Sequence, residues 1–307
     1  MSKPPKPLFT FFGVDGGATC SCVEHPQLFV GSQKGVVRRY GLESKIMEQI
    51  VHVDDEERRI QSVEFRNSHL LVHIRSFAVL KLRQTSNSDP WSIIQTIEVN
   101  HIGFCNSILL NSQLLFVSAD NQRYALLCWT SSNGEIKKSL LCDEKDIQPM
   151  CMIVGDVDQK EVLIGMEDGS LAICYGDEDG DFGCHQRPKL GREPIFCVAS
   201  SSKWVAAGCA RSPIFLLDRE NLDEKKEINY PPDSAGCSSI TFSPNSKQIL
   251  AGFWDGSIRV FSRNRLNVLL VLSNTHSSNV SSLHWLSMKE LVIATSSDST
   301  VSLWKLK

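Results

Sequence analysis

The segment ILAGFWDGSIRVF, residues 249–261, reads as two short strands folded about a tight turn. A run of β-forming residues reaches Gly252, Asp255-Gly256 supplies a turn, and alternation resumes up to Phe261. Asp-Gly suits that place because glycine accepts a positive φ without steric cost and aspartate bonds its own backbone. The frame recurs in VLIGMEDGSLAIC (162–174) and LFVGSQKGVVRRY (28–40). LVIATSSDSTVSLW (291–304) fits with Ser299 in the glycine slot, and WVAAGCARSPIFLL (204–217) with Arg211 for the aspartate. LLFVSADNQRYALLCW (114–129) carries a short insertion, and LLVHIRSFAVLKL (70–82) has lost the turn signal. The seven copies end at Tyr40, Leu82, Trp129, Cys174, Leu217, Phe261 and Trp304, at intervals of 42, 47, 45, 43, 44 and 43 residues. Helical repeats of similar length would place apolar residues at i, i+3 and i+4, whereas these come in short β-rich runs. The period is that of a four-stranded propeller blade, and the chain is expected to be all-β with seven blades.

Within each unit the motif supplies strands b and c. A preceding strand a is expected at 18–23, 60–65, 103–110, 149–154, 195–200, 237–242 and 280–285. Five of these seven segments hold a cysteine, a small apolar side chain suited to the crowded inner edge of the blades. An outer strand d is expected at 46–51, 93–99, 136–141, about 184–190, 226–230 and 267–272, with Asn133-Gly134 marking the third c–d hairpin. The seventh unit has no such strand after Trp304, while PLFTFF (7–12) is an orphan at the other end. Pairing the two closes the ring and removes an open edge. Residues 1–307 then form a single domain.

The composition fits a globular chain: 42% hydrophobic and 22% charged residues, with a net charge of -3. There is no global basic bias to draw it onto nucleic acid or anionic lipid. The N-terminal apolar run is too short for a signal-peptide core, and no stretch approaches the ~20 apolar residues of a membrane span. The expected compartment is the cytoplasm, with the nucleus as a second. Eleven scattered cysteines without a secretory signal read as buried thiols. Only Cys20-Ser-Cys22 approaches a zinc-ligand pair, and it has no second pair. The sequon at Asn279 carries no weight without secretion.

His276, Asp298 and Trp304 fall where a hydrogen-bonded line would tie the loop before strand a to the b–c turn and the end of strand c. Such a line is structural, since no nucleophile sits beside it. The sixth unit keeps Asp255 and the fourth keeps Asp168, with Phe261 and Cys174 in the tryptophan slot. GDEDGDFGC (176–184) resembles a calcium loop, but Pro188 occupies its twelfth position and a solvated hairpin is the simpler reading. His69 and His73 lie four apart, which aligns residues on a helix and not on a strand. The candidate partner-binding surface is the face carrying the b–c turns. Trp254 falls within such a turn, with little core to enter, and Arg75 and Arg211 occupy comparable turns. The charged loop Asp54, Asp55, Glu56, Glu57 and Arg58 lies on the same side. No phosphate-binding loop, zinc-protease motif, nucleophile elbow or dinucleotide fingerprint occurs, and neither a cofactor nor a metal is expected.

The repeats carrying DGSIRVF and the terminal SLW resemble the WD40-repeat family. The blocks GFCNSILL (103–110), PMC to LIGMEDGSL (149–171), EPI (193–195), ILAGFWDGSIRVF (249–261) and VLSNTHSSNVSSL to SLW (271–304) are similar to a G-protein-beta-like subfamily that includes the fungal ASTRA-associated proteins. That resemblance implies a non-enzymatic scaffold acting with the TTT co-chaperone assembly in maturing and stabilising the phosphatidylinositol-3-kinase-related kinases. It implies protein partners and transfers no catalytic residue. A G-protein γ subunit is not an expected partner, because no room precedes the orphan strand for a coiled-coil helix. The alternative is a WD40 substrate receptor or peptide reader in a ubiquitin-ligase or chromatin complex. A propeller hydrolase or lyase would need a carboxylate, histidine or metal cluster in the central funnel, and no repeated set supplies one.

Overall fold

In the computed structural model, residues 5–306 are described except 67, 87–88, 100–102, 132, 157, 159, 223, 274 and 288–289. The elements are strands, β1 to β28, and they assemble into seven four-stranded antiparallel sheets, the blades of a β-propeller. Blade one is β2–β5 (Ala18–Glu24, Gln27–Ser32, Val36–Gly41, Ile46–Val53) and blade two is β6–β9 (Ile60–Arg66, His69–Ile74, Ala78–Arg83, Ser92–Glu98). Blade three is β10–β13 (Ile108–Leu110, Gln113–Ala119, Tyr124–Thr130, Ile136–Lys145) and blade four is β14–β17 (Pro149–Asp156, Glu161–Met166, Leu171–Gly176, Phe182–Gln186). Blade five is β18–β21 (Ile195–Ser200, Trp204–Cys209, Ile214–Asp218, Lys225–Ile228) and blade six is β22–β25 (Cys237–Phe242, Gln248–Phe253, Ile258–Ser262, Val268–Leu272). Blade seven is β26–β28 (Val280–Leu286, Leu291–Ser296, Thr300–Lys305) with β1 (Phe9–Phe12) as its outer strand. The register of that last pair runs from Phe9 opposite Leu303 to Phe12 opposite Thr300, so the two ends of the chain share one sheet, as expected.

The chain divides into two compact bodies, one of residues 1–99, 250–260 and 269–307, the other of 100–249 and 261–268. In each, the b strands are buried on both faces, which is why they read as unbroken apolar runs. In the first body Leu28 and Val30 pack with Phe11, Tyr40, Ile293 and Leu303, while Phe29 between them packs with Ile60, Leu70 and Leu82. In the second body Val162 and Ile164 face the blade-three side with Trp129, and Leu163 faces the blade-five side with Ile195 and Val205. The residues that end the seven motifs, Tyr40 to Trp304, are all buried.

The cysteines of the a strands explain the small residues of the b strands. A Cβ added at Gly31 would lie 2.6 Å from Cys20 Sγ, one at Gly165 2.8 Å from Cys151 Sγ, and one at Gly208 2.6 Å from both Cys197 and Cys237 Sγ. Each glycine therefore makes room for a thiol from its own blade and a side chain from the next. All eleven cysteines are free thiols.

Three strands depart from the expectation by several residues. The outer strand of blade three, expected at 136–141, runs on to Lys145. The first strand of blade three covers only Ile108–Leu110, not 103–110. The Asn106 carboxamide bonds both ways to the backbone of Met152, at 2.7 and 2.9 Å, and so replaces ladder pairing there. The outer strand of blade four is Phe182–Gln186, earlier than 184–190. The Asp177 carboxylate accepts from the Asp181 amide at 2.8 Å, and this tight hairpin brings the chain back at once. GDEDGDFGC is thus a c–d connection. At the third c–d hairpin Gly134 has φ +87°, as Asn133-Gly134 implied.

Candidate functional site

One edge of each blade carries the b–c turn and the connection entering the next blade. Here the turn glycine is required by a close approach. A Cβ on Gly256 would stand 2.4 Å from the His276 carbonyl oxygen, and one on Gly169 2.7 Å from that of Gly191. Both glycines also have φ above +80°. At these turns backbone therefore lies against backbone.

The expected polar line forms in blade seven. His276 Nδ1 lies 2.9 Å from Thr300 Oγ1 and 3.3 Å from Asp298 Oδ2, and Nε2 lies 2.7 Å from Ser302 Oγ. Trp304 Nε1 donates to Ser302 Oγ at 2.8 Å, and Thr300 Oγ1 donates to Asp298 Oδ1. Because Thr300 spends its proton on Asp298, His276 donates from Nδ1 and its Nε2 accepts from the Ser302 hydroxyl. Burial pulls the His276 pKa down, which agrees with a neutral ring. Burial alone would raise the Asp298 carboxyl, but hydrogen bonds from Thr300 and Ser277 outweigh it and hold the group ionised. Thr300 and Ser302 are members that the repeat positions do not mark. They lie four and two residues before Trp304 on one strand, hence on the same face, and this was the available signal.

Blade four solves the same problem differently. Asp168 takes hydrogen bonds from Ser170, and Lys189 and Arg187 stand 2.9 and 3.0 Å from its Oδ2. Burial opposes ionisation, but these donors prevail and bring the Asp168 pKa down to about 2. Two cations occupy the place that histidine holds in blade seven.

The charged loop is a built structure. The Asp54 amide donates to the Gly35 carbonyl at 2.9 Å, and the Arg75 amide to the Arg59 carbonyl at 3.0 Å, so the loop spans the b–c turns of blades one and two. Asp54 is itself buried and grips Arg58 through both the guanidinium and the backbone amide. The Arg58 guanidinium lies 3.6 Å above the Phe77 ring centroid. Asp55, Glu56 and Glu57 point to solvent. Phe77, 37% exposed, was not singled out from sequence, although an aromatic beside a turn serine is a signal of the same kind as Trp254.

Trp254 is 42% exposed on the turn of blade six, next to buried Phe253, over whose ring the Arg259 guanidinium sits at 4.4 Å. Arg75 is half-buried in the first body, close enough to Arg59 that burial and the Arg75 charge together depress the Arg59 pKa. Arg211 is exposed on a turn of the second body. The geometry thus brings Arg58, Arg75 and Phe77 to one loop cluster, and His276, Asp298 and Trp304 to one buried line. Among the described residues no group of three or more His, Cys, Asp or Glu side chains gathers as metal ligands.

Residues 226–262 and 267–305 match the family model described as WD domain, G-beta repeat. Two of the seven four-stranded blades fit that model, and the architecture resembles that of WD40-repeat propellers, which commonly serve as scaffolds for protein interaction. The chain is similar to an uncharacterized WD repeat-containing protein of Schizosaccharomyces pombe, 24% identical over 185 residues. The matched segment covers 59% of this chain and 31% of the relative, so the chain spans under a third of that protein's length.

Proposed function

We propose that this propeller is a non-enzymatic adaptor that works with the TTT and ASTRA co-chaperone assemblies, in the cytoplasm and the nucleus. Its clients are the phosphatidylinositol-3-kinase-related kinases, and it contributes to their maturation and stability. The observation that carries the contact surface is Trp254, a large aromatic left 42% exposed on a turn whose backbone is pinned from below. Exposed aromatics of this kind are common anchors of protein interfaces. The Arg58–Phe77 stack and Arg211 offer further contacts on b–c turns and the loop beside them. The assignment to the co-chaperone assemblies is supported by the short sequence blocks shared with the beta-like subfamily.

Affinity purification of the full chain followed by mass spectrometry tests the assignment. TTT components and the large kinases are expected among the recovered proteins. Recovery of ubiquitin-ligase, chromatin or G-protein γ subunits in their place overturns it. The surface is tested separately with Trp254→Ala combined with Arg211→Glu. A variant that folds normally and retains every partner removes these turns from the interface.

A further inference from the structure

A different edge of the molecule gathers positive charge around one indole. Trp204 begins β19 and lies opposite Asp218 in register. Leu216 is two residues from Asp218 and lies opposite Lys226, so Trp204, Asp218 and Lys226 share one face of the blade-five sheet. Lys225 falls on the other face, where it meets Phe215 and the Leu190 carbonyl. The Lys226 ammonium stands 5.1 Å from the Trp204 ring centroid and the Lys203 ammonium 5.9 Å from it. The Arg263 guanidinium, from the c–d connection of blade six, stands 5.0 Å away. Its backbone amide is fastened to the Lys247 carbonyl at 3.0 Å.

Three cations around one buried ring repel one another. Asp218 offsets part of this, at 3.6 Å from Lys203. Among the described residues no carboxylate pairs with Lys226 or Arg263, and the Arg263 Nε is buried without a hydrogen-bond acceptor. Three positive charges less one leave a local charge of two. That matches a phosphate monoester, which carries about −1.5 to −2 at pH 7 and offers three acceptor oxygens. The indole supplies a rigid floor and the arginine a planar fork for those oxygens.

We propose that Lys203, Lys226 and Arg263, seated on Trp204, form a binding site for a phosphorylated side chain of a protein partner. The site is separate from the b–c turns and stands whether or not the co-chaperone assignment does. A peptide fits better than a nucleic acid. The three cations gather around a single ring in a chain of net charge -3, which suits one phosphate group better than the run of phosphates along a nucleic-acid backbone.

The probe is a fluorescein-labelled degenerate peptide pool with a fixed central phosphoserine. It is compared by anisotropy with pools carrying serine or glutamate at that place. The full chain is expected to bind the phosphoserine pool at least tenfold more tightly than the serine pool. Lys226→Glu combined with Arg263→Glu is expected to abolish that preference. Asp218→Asn, which removes the carboxylate beside Lys203 and keeps the side-chain shape, is expected to tighten binding severalfold. This second variant supplies a readout of opposite sign should the charge reversal perturb folding. Affinity is also expected to fall as pH drops below about 6, where the phosphate dianion takes up a proton and becomes a monoanion, in a range where a carboxylate ligand stays ionised. Equal binding of the three pools, no response to either variant, or tighter binding of a single-stranded oligonucleotide or of phosphoinositide vesicles than of the phosphopeptide pool overturns the proposal.

Discussion

Ser302 serves two buried neighbours at once, donating to His276 and accepting from Trp304. Ser302→Ala leaves the imidazole nitrogen and the indole N–H unsatisfied, at a cost of about 1–3 kcal/mol for each group. Urea denaturation is expected to show a lowered midpoint with an unchanged slope, and an unaltered midpoint would mean that the line contributes nothing. The tryptophan and the histidine of this line were legible in the sequence because each stands at a repeat position. The serine carries no such mark, since many serines lie in this chain and only its neighbours give this one a task. Arg187 and Lys189, which replace the histidine in blade four, were illegible for the same reason. They reach Asp168 from an outer strand end and a connection that no motif describes.

At the scale of the element, the turn glycines differ in what surrounds them. Gly134 has φ +87° and nothing within 4 Å of an added Cβ, whereas Gly256 has φ +81° and the His276 carbonyl 2.4 Å away. Gly134→Ala is expected to cost about 1 kcal/mol, the strain of a left-handed alanine alone. Gly256→Ala must also push two connections apart, and the expected loss exceeds that of Gly134→Ala by more than about 1 kcal/mol, read from paired denaturation curves. Strand β1 gives a second prediction. Phe11 is buried against Tyr40, with ring centroids 4.9 Å apart, and its strand covers the edge of β28. Phe11→Ala is expected to lower stability by about 3–5 kcal/mol. Removing residues 1–13 bares β28, and the expected outcome is concentration-dependent association in light scattering. A truncated chain that stays monomeric with an unchanged melting temperature would contradict the latching role.

Across the whole molecule, stability is set against acid by a few half-buried groups. His284 is held in a hydrogen-bonded cluster, with Ser21 Oγ 2.8 Å from its Nε2 and Ser282 and Thr295 beyond. Burial lowers its pKa from 6.5 to about 4. Between those values the unfolded chain binds a proton that the folded chain refuses, so stability falls as pH drops from 6.5 and levels off below 4. The slope is at most about 1.4 kcal/mol per pH unit for one such group. Asp168, brought down to about 2, contributes stability above 3.8 that is lost as pH falls further. Melting temperatures measured from pH 7 to 2 are expected to decline in both windows. His284→Gln should flatten the first and Asp168→Asn the second, and an unflattened profile in either variant removes that group from the account.

What the sequence determined by itself was the unit, the count and the closure. Strand alternation, Asp-Gly turns and a period of about 44 residues are local, and local rules of backbone geometry suffice to read them. The orphan strand followed from counting, because seven inner motifs had only six outer strands after them. What only the tertiary structure decided was which side chains meet across different units. Residues as remote as Arg58 and Phe77, or Lys226 and Arg263, become neighbours through register and blade packing. Such meetings leave no periodic trace, because a charge facing another blade is chosen by its partner in space and not by its place in the repeat.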